Sequence, residues 1–274
     1  MTQTHRESRR HQITLKPLDA SMTDRAIWGG KATGLAKIMG AALTLPETAC
    51  IACQNVPHLS DNDALDLALG TLPDSIAASL PDPGLVVRSS STHEDGATAS
   101  GAGLYKTVFG VTSVDLLKRA INDCWKSADI QSSKHPGSMG VVVQPLIPCE
   151  ISGVAFSKDP MGMTPGICIE ASWGNCSAVV DGRTDPDRYV VDGHKVTHTL
   201  GRKNVYDMVI GTQTHSFETP DDLCQIPVLK NEEARKIASL VKTMADVMKT
   251  PVDVEWGICN DIVYLFQCRA ITTI

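Results

Sequence analysis

Aromatic residues are scarce in this sequence of 274 residues, since Phe, Trp and Tyr together make up 4%. Packing must therefore rely on aliphatic side chains, within a hydrophobic share of 42% that is ordinary for a globular enzyme. No segment approaches the roughly 20 apolar residues that a membrane span needs. The polar N-terminus also lacks the apolar stretch of a secretory signal. We therefore expect a cytoplasmic protein without a membrane partner.

An excess of positive charge is also absent. The net charge is −6 and the pI is about 5.7, which argues against nucleic acid as a partner. The nine cysteines are odd in number and irregularly spaced, so reduced thiols are predicted. One CxxC spans Cys50 to Cys53, but zinc would need a second pair of ligands. We therefore interpret these two cysteines as structural.

The pattern of predicted elements indicates an α+β fold. Residues 1–21 are polar and predict an N-terminal arm, and residues 22–274 predict one domain with a subdomain break near 110–140. A helix is predicted at Val114–Ser127, with Leu117, Ile121 and Trp125 on one face. Short β-branched segments separated by turns predict mostly antiparallel strands rather than regular βαβ alternation.

A glycine turn precedes the first predicted helix, in the motif Gly29-Gly30-Lys31. Glycines let backbone amides approach phosphate oxygens, a helix N-terminus attracts anions, and lysine adds a positive charge. The spacing is not that of a Walker A motif. Taken alone, the motif is better explained as a glycine turn with a surface lysine.

A second polar group follows the predicted buried strand that ends at Arg88. An arginine held at the end of a strand can clamp phosphate oxygens with two hydrogen bonds. Ser89, Ser90 and the glycine loop at 100–103 add small hydrogen-bond donors. Taken alone, this group supports a functional and a structural interpretation equally.

The third group lies on two predicted paired strands near the C-terminus, Val252–Glu255 and Val263–Gln267. Glu255 and Gln267 could supply the one or two side-chain oxygens that a nucleotide-bound Mg²⁺ takes. Arg269 lies two residues after Gln267, so both face the same side of a strand and Arg269 could stabilise a transferring phosphoryl group. An ordinary salt-bridged hairpin explains this group somewhat better when it is considered alone.

Together and in this order, the three groups resemble the N-terminal ATP-grasp domain of phosphoenolpyruvate synthases and pyruvate phosphate dikinases. The resemblance extends from about Trp28 to Ala270 and includes Asp185 to Val191 and Gly201 to Lys203. It implies an ATP-grasp-like α+β fold of two subdomains with mostly antiparallel mixed sheets. It also implies an ATP-dependent phosphotransferase with ATP and Mg²⁺ as cofactors.

The resemblance also implies roles for individual residues. Lys31 and Arg88 would bind phosphates, with Gly103 and Thr107 in the loop that closes over them. Gln144 would lie at the adenine pocket. The residues predicted to bind ATP are Lys31, Arg88, Gly103, Thr107, Gln144, Glu255 and Gln267. Glu255 and Gln267 would also hold Mg²⁺, and Arg269, Lys31 and Arg88 are the predicted catalytic residues.

Two features depart from this family. None of the eight histidines lies in a motif like GGxxSHxA, which carries the phosphorylated histidine of full-length relatives. We also expect no further domain after Arg269. Ser177 stands where relatives usually have Glu. We therefore expect a kinase that transfers a phosphoryl group directly to a small-molecule acceptor.

Three alternatives remain open. The chain could be the ATP-binding subunit of a split dikinase with a separate phosphohistidine protein, a ligase that forms an acyl phosphate, or a non-catalytic nucleotide sensor. The joint presence of Lys31, Arg88, Glu255, Gln267 and Arg269 argues against the sensor. A homodimer is compatible with the sequence.

Overall fold

The computed structural model describes residues 14–41, 43–55, 74–80, 84–92, 106–131, 138–210 and 213–271. The helices within these residues are α1 (Arg25–Ile38), α2 (Asp74–Ser79), α3 (Val114–Gln131), α4 (Ser177–Val180), α5 (Asp221–Cys224) and α6 (Asn231–Met248). The strands are β1 (Leu15–Pro17), β2 (Ala49–Asn55), β3 (Leu85–Ser91), β4 (Thr107–Val111), β5 (Ser138–Pro145), β6 (Ile151–Phe156), β7 (Ile167–Trp173), β8 (Asp187–Asp192), β9 (Lys195–Thr199), β10 (Val205–Ile210), β11 (Gln213–Glu218), β12 (Val252–Cys259) and β13 (Ile262–Ala270). None of these helices is long and apolar enough to cross a bilayer.

Two antiparallel sheets organise the described chain. The first has the strand order β1-β2-β5-β3-β4, and the second has the order β13-β12-β6-β7-β8-β9. Strands β10 and β11 form a separate antiparallel hairpin. The chain passes from the first sheet to the second between Pro145 and Ile151. The predicted α+β class with mostly antiparallel strands is confirmed, and the subdomain break expected near 110–140 stays a prediction.

Each sheet is covered by helices on one face. Helices α2 and α3 contribute to the core of the first sheet, and Leu117, Ile121 and Trp125 of α3 are buried there as predicted. Helix α6 covers the second sheet with a buried stripe that includes Ala234, Ile237 and Val241. This spacing of three and four residues brings side chains onto one helix face. The opposite face of each sheet therefore stays available to meet the other sheet.

Helix α1 connects the two sheets through glycines. At Gly29, φ is +76° and a Cβ would lie 2.0 Å from the carbonyl oxygen of Ser90 on β3. At Gly34, a Cβ would lie 2.1 Å from the carbonyl oxygen of Cys268 on β13. A side chain at either position would therefore force the backbones apart. The two glycines let α1 lie against one strand of each sheet.

Part of the predicted N-terminal arm is ordered as β1. Its three residues pair with β2, and Leu15 is buried. The first 13 residues lie outside the described residues. The cysteines of the CxxC motif are free, with Cys50 buried and Cys53 half-buried. Within the described ranges no group of three or more His, Cys, Asp or Glu side chains is placed to hold a metal ion.

Candidate active site

An ion pair between the two sheets forms the centre of the candidate site. Arg88 extends from β3 of the first sheet, and its Nη1 donates to Oε2 of Glu255 on β12 at 2.8 Å. Only 8% of the Arg88 side chain and 14% of the Glu255 side chain are exposed. The guanidinium also lies 6.0 Å from the centroid of the Phe266 ring. Its Nε is buried with no hydrogen-bond partner among the described atoms, so Arg88 retains an unused donor for an anion.

Two further basic residues act on Glu255. Burial raises the pKa of its carboxyl group, but the positive charges of Arg88, Lys31 and Arg269 outweigh this and hold the pKa below its ordinary value. Lys31 comes from α1, Arg88 from β3 and Arg269 from β13. Three separate elements therefore bring positive charge to one carboxylate. Such a concentration of charge is suited to the phosphates of a nucleotide.

Glu255 and Gln267 lie directly opposite each other on β12 and β13. The Oε1 atom of Gln267 is buried and has no hydrogen-bond partner in the described part of the chain. An unpaired buried acceptor is costly, and a cation beside it would remove that cost. Nucleotide-bound Mg²⁺ typically takes only one or two protein oxygens and completes its shell with phosphates and water. The carboxylate and the amide oxygen therefore fit a magnesium site of this kind.

Arg269 is oriented by a carboxylate on the neighbouring strand. Its Nε donates to Oδ2 of Asp253 at 2.6 Å, and its Nη2 lies 2.5 Å from the same oxygen. Asp253 lies two residues before Glu255 on β12, so the two side chains share a face of the sheet. Arg269 was predicted to lie beside Gln267, whereas Asp253 had no predicted role. Cross-strand pairing makes Asp253 the residue that positions Arg269.

The glycine turn at the start of α1 is fixed by β3. The hydroxyl of Ser90 donates to the carbonyl oxygen of Trp28 at 2.8 Å and accepts from the backbone N–H of Ala32 at 3.2 Å. The turn that precedes Lys31 is therefore attached to the strand that carries Arg88. Thr107 on β4 lies directly opposite Arg88 and is half-buried. Gly103 lies outside the described residues.

A narrow cleft leads from Arg88 towards the connection between the sheets. Gln144 lines it and donates its Nε2 to Oγ1 of Thr48 at 3.0 Å. The cleft encloses about 20 Å³, which is room for about one water molecule. A cavity of about 700 Å³ adjoins it and shares Leu146, Cys149 and Asn175 with its wall. This second volume is in the range of small-molecule sites.

Comparisons with known proteins decide the family. A model described as "Pyruvate phosphate dikinase, AMP/ATP-binding domain" matches residues 63–274. The chain belongs to this family. The predicted resemblance is thereby confirmed, and the family description names AMP/ATP as the ligand of the domain.

Three curated relatives of this dikinase-family domain show the same relationship. The uncharacterized phosphotransferase YvkC of Bacillus subtilis is 34% identical over 203 residues, covering 69% of this chain and 24% of that protein. The prodigiosin synthesizing transferase PigC of Serratia marcescens is 28% identical over 281 residues, covering 89% of this chain and 31% of that protein. A rifampicin phosphotransferase from a Streptomyces species is 30% identical over 224 residues, covering 74% of this chain and 26% of that protein. The chain therefore spans between 24% and 31% of the length of these relatives.

Solved structures give more distant matches. An ATP complex of the D-alanine–D-alanine ligase from Bacillus anthracis is 11% identical, with a TM-score of 0.42, over 88% of this chain and 55% of that one. An acetyl-coenzyme A synthetase from Ca. Korarchaeum cryptofilum is 10% identical, with a TM-score of 0.47, over 88% of this chain and 92% of that one.

The residue at which this dikinase-family chain departs from the expected pattern is part of a polar network. Ser177 begins α4, and its hydroxyl donates to Oδ2 of Asp207 on β10 at 2.6 Å. Asp207 also accepts from Nη1 of Arg183 at 3.0 Å and from Oγ of Ser216 at 2.7 Å. Where Glu was expected, a hydroxyl therefore attaches α4 to the β10–β11 hairpin. Asp207 was not predicted from the sequence, because nothing in its local sequence indicates its partners.

Proposed function

We propose that this domain binds ATP and Mg²⁺ between its two sheets and transfers a phosphoryl group from ATP to a small-molecule acceptor. The observation that carries the proposal is the convergence of Lys31, Arg88 and Arg269 on Glu255. Family membership supports ATP as the nucleotide, and the relative named rifampicin phosphotransferase supports a small molecule as the acceptor. Residues 22–274 would act as one nucleotide-binding domain.

The phosphates would lie between Arg88 of the first sheet and Glu255 of the second. Arg88 and Lys31 would bind phosphate oxygens, and the buried Nε of Arg88 would gain the acceptor that it lacks. Glu255 and Gln267 would hold Mg²⁺, which would neutralise negative charge on the phosphates. Because Arg88 now donates to Glu255, nucleotide binding would loosen this ion pair as the carboxylate turns to the cation. The pair would thus keep both groups in place before ATP arrives.

The nucleoside would extend from the phosphates towards the connection between the sheets. Gln144 lies on β5 near that connection, whereas Arg88 lies opposite Val142 further along the strand. The narrow cleft beside Gln144 would have to widen to admit a base. The adjoining cavity shares three wall residues with the cleft and gives the base room to enter. The acceptor would therefore approach from the other end, beside Glu255 and Arg269.

The nucleotide product tests this function. The purified chain is first titrated with ATP by calorimetry, with and without Mg²⁺, and then incubated with ATP, Mg²⁺ and a small-molecule extract of its source cells. We expect ATP binding that Mg²⁺ strengthens, and formation of ADP that EDTA prevents. AMP as the product would contradict direct γ-phosphoryl transfer and favour the dikinase route. Failure to bind ATP would contradict the whole proposal.

Arg269 should act mainly on the reaction rate. We expect Arg269→Ala to lower turnover by about 100-fold, since a preorganised donor to developing charge is typically worth this much, while ATP affinity changes little. Arg269→Lys should be intermediate, because lysine keeps the charge but not the two-pronged guanidinium that Asp253 orients. Calorimetry gives the affinity, and ADP release gives the rate. A loss of affinity as large as the loss of rate would reduce Arg269 to a ground-state ligand.

A further inference from the structure

A row of side chains crosses the second sheet on the face that carries Glu255. Glu255 on β12 lies opposite Val154 on β6, and Val154 lies opposite Glu170 on β7. Glu170 in turn lies opposite Arg188 on β8. Residues directly opposite each other in antiparallel strands share a face, so all four point to the same side of the sheet. Because Glu255 contacts Arg88 of the first sheet, this side faces the proposed phosphate site.

The row places an apolar residue between two carboxylates. Neighbouring strands are about 4.8 Å apart, so the backbones of Glu170 and Glu255 are separated by about 10 Å across β6. The residue between them is Val154, which has no polar group to occupy the space. Strands β6 and β7 approach each other closely at Glu170, since a Cβ at Gly153 would lie 1.9 Å from the carbonyl oxygen of Glu170. Val154 therefore lies between the two carboxylates on the face that meets the proposed phosphate site.

Glu170 is a half-buried carboxylate with unused acceptor capacity. No hydrogen bond to its oxygens is present within the described residues. Arg188, its cross-strand neighbour, instead donates Nη2 to Oδ2 of Asp159 at 2.9 Å. Both carboxylate oxygens of Asp159 also accept other hydrogen bonds, from the backbone N–H groups of Met161 and Thr164 and from the hydroxyl of Thr164. Arg188 is thus already engaged by Asp159, which is unusual for the neighbour of a carboxylate whose only role is a salt bridge.

The surroundings of Glu170 favour its protonated form. Burial raises the pKa of its carboxyl group, and so do the charges of Asp159, Asp253 and Asp185, whereas Arg188 opposes them. The net effect is a pKa above the ordinary value of 4.5. A carboxylate whose pKa is raised is a stronger base.

We propose that Glu170 is the general base of the transfer and that the acceptor is a hydroxyl compound. This rests on the function proposed above. The acceptor O–H bond breaks as its proton passes to the Glu170 carboxylate, and the oxygen forms a bond to the γ-phosphorus. The bond from that phosphorus to the β–γ bridging oxygen breaks, and ADP leaves with the electron pair. An imidazole acceptor would attack through a lone pair and need no base, so Glu170 specifies a hydroxyl group.

Water serves as the probe acceptor, because it also has to lose a proton. Hydrolysis of Mg·ATP by the full chain is measured against pH for the wild type, Glu170→Gln and Glu170→Asp, with ATP affinity measured in parallel. We expect Glu170→Gln to lower the hydrolysis rate by about 100-fold or more, the usual range for a general base, with ATP affinity unchanged. The wild-type rate should fall as the pH drops through the raised pKa of Glu170, and Glu170→Gln should lose this dependence. Glu170→Asp should retain part of the rate.

Two controls separate catalysis from structure. Glu232→Gln removes an exposed carboxylate on α6 and should leave hydrolysis unchanged. If Glu170 only balanced the charge of Arg188, the double variant Glu170→Gln/Arg188→Gln would recover the rate, whereas a lost base is not restored. A hydrolysis rate in Glu170→Gln equal to that of the wild type would contradict the role of Glu170 as general base but would leave the phosphotransferase proposal intact. If the wild type binds ATP but does not hydrolyse it, the role of Glu170 as general base is contradicted too. If the wild type does not bind ATP, the proposed function itself is contradicted.

Discussion

Glu255→Gln is expected to lower Mg²⁺-dependent turnover by about 100- to 1,000-fold, the range seen when one preorganised charge-stabilising group is removed. The reason is that Glu255 offers an ionised oxygen on the strand opposite Gln267, whose Oε1 has no hydrogen-bond partner among the described residues. An amide at position 255 keeps the shape but supplies no negative charge for the cation. ATP should still bind through Lys31 and Arg88, with a weaker enhancement by Mg²⁺.

The choice of glutamine matters because of Arg88. Glu255→Ala would leave the guanidinium buried without its partner, and breaking a buried ion pair costs about 3–5 kcal/mol. Loss of activity in that variant would therefore mix chemistry with unfolding. Glutamine can still accept a hydrogen bond from Nη1 of Arg88 and fills the same volume. A thermal melt of Glu255→Gln close to that of the wild type would show that the fold is kept.

The measurement is ADP release as a function of Mg²⁺ concentration. We expect the wild type to saturate and Glu255→Gln to need far more Mg²⁺ to reach its residual rate. Glu232→Gln, at an exposed position on α6, is the matched control and should behave as the wild type. Unchanged turnover and unchanged Mg²⁺ dependence in Glu255→Gln would remove Glu255 from the metal site and from the mechanism.

Local patterns were sufficient to predict elements whose partners are close in sequence. The apolar face of α3 and the pairing of β12 with β13 follow from helical spacing and a short turn, and both are present. The turn alone would place Glu255 opposite Phe266, and a β-bulge between Glu255 and Trp256 shifts the register so that Glu255 lies opposite Gln267. Arg88, by contrast, meets Glu255 across 167 positions of sequence, which no local periodicity encodes. Only the resemblance to the dikinase family linked these two residues before the structure did.

The residues that sequence reasoning missed share a physical cause. Glu170 joins the site only because β6 lies between β7 and β12, an order that depends on the whole sheet. Asp253 had no predicted role, and its pairing with Arg269 follows from strand register. A one-residue slip in either strand would turn these side chains to the other face. Register is set by the packing of the complete core, so such contacts could not be predicted from the sequence alone.

A buried ion pair beside the Glu170 row explains how β8 is held in place. Nζ of Lys203 lies 2.5 Å from Oδ1 of Asp187, and neither side chain has any exposed surface. Asp187 also accepts from the backbone N–H groups of Gly201 and Val228, both at 2.9 Å. It thereby ties the start of β8 to the segment before β10 and to the segment that leads into α6. The adjacent residue on β8 is Arg188, the cross-strand neighbour of Glu170.

Lys203→Met should therefore be the most destabilising of these substitutions. Methionine fills much of the space but leaves Asp187 as a buried carboxylate without a cation, at a cost of about 3–5 kcal/mol in the free energy of unfolding. At about 2–4 °C per kcal/mol for a chain of this size class, the melting temperature should fall by about 10 °C. Urea unfolding and a thermal melt measure both quantities.

Two comparisons test the cause of this loss. Lys195→Met removes an exposed lysine from β9 and should change the stability by less than about 0.5 kcal/mol. The double variant Asp187→Asn/Lys203→Met removes both charges, so it should recover part of the loss, because the cost lies in the unpaired carboxylate and not in the missing attraction. Equal stability of Lys203→Met and the wild type would show that water or another cation reaches Asp187. In that case β8 would not depend on the ion pair, and the placement of Arg188 beside Glu170 would rest on strand pairing alone.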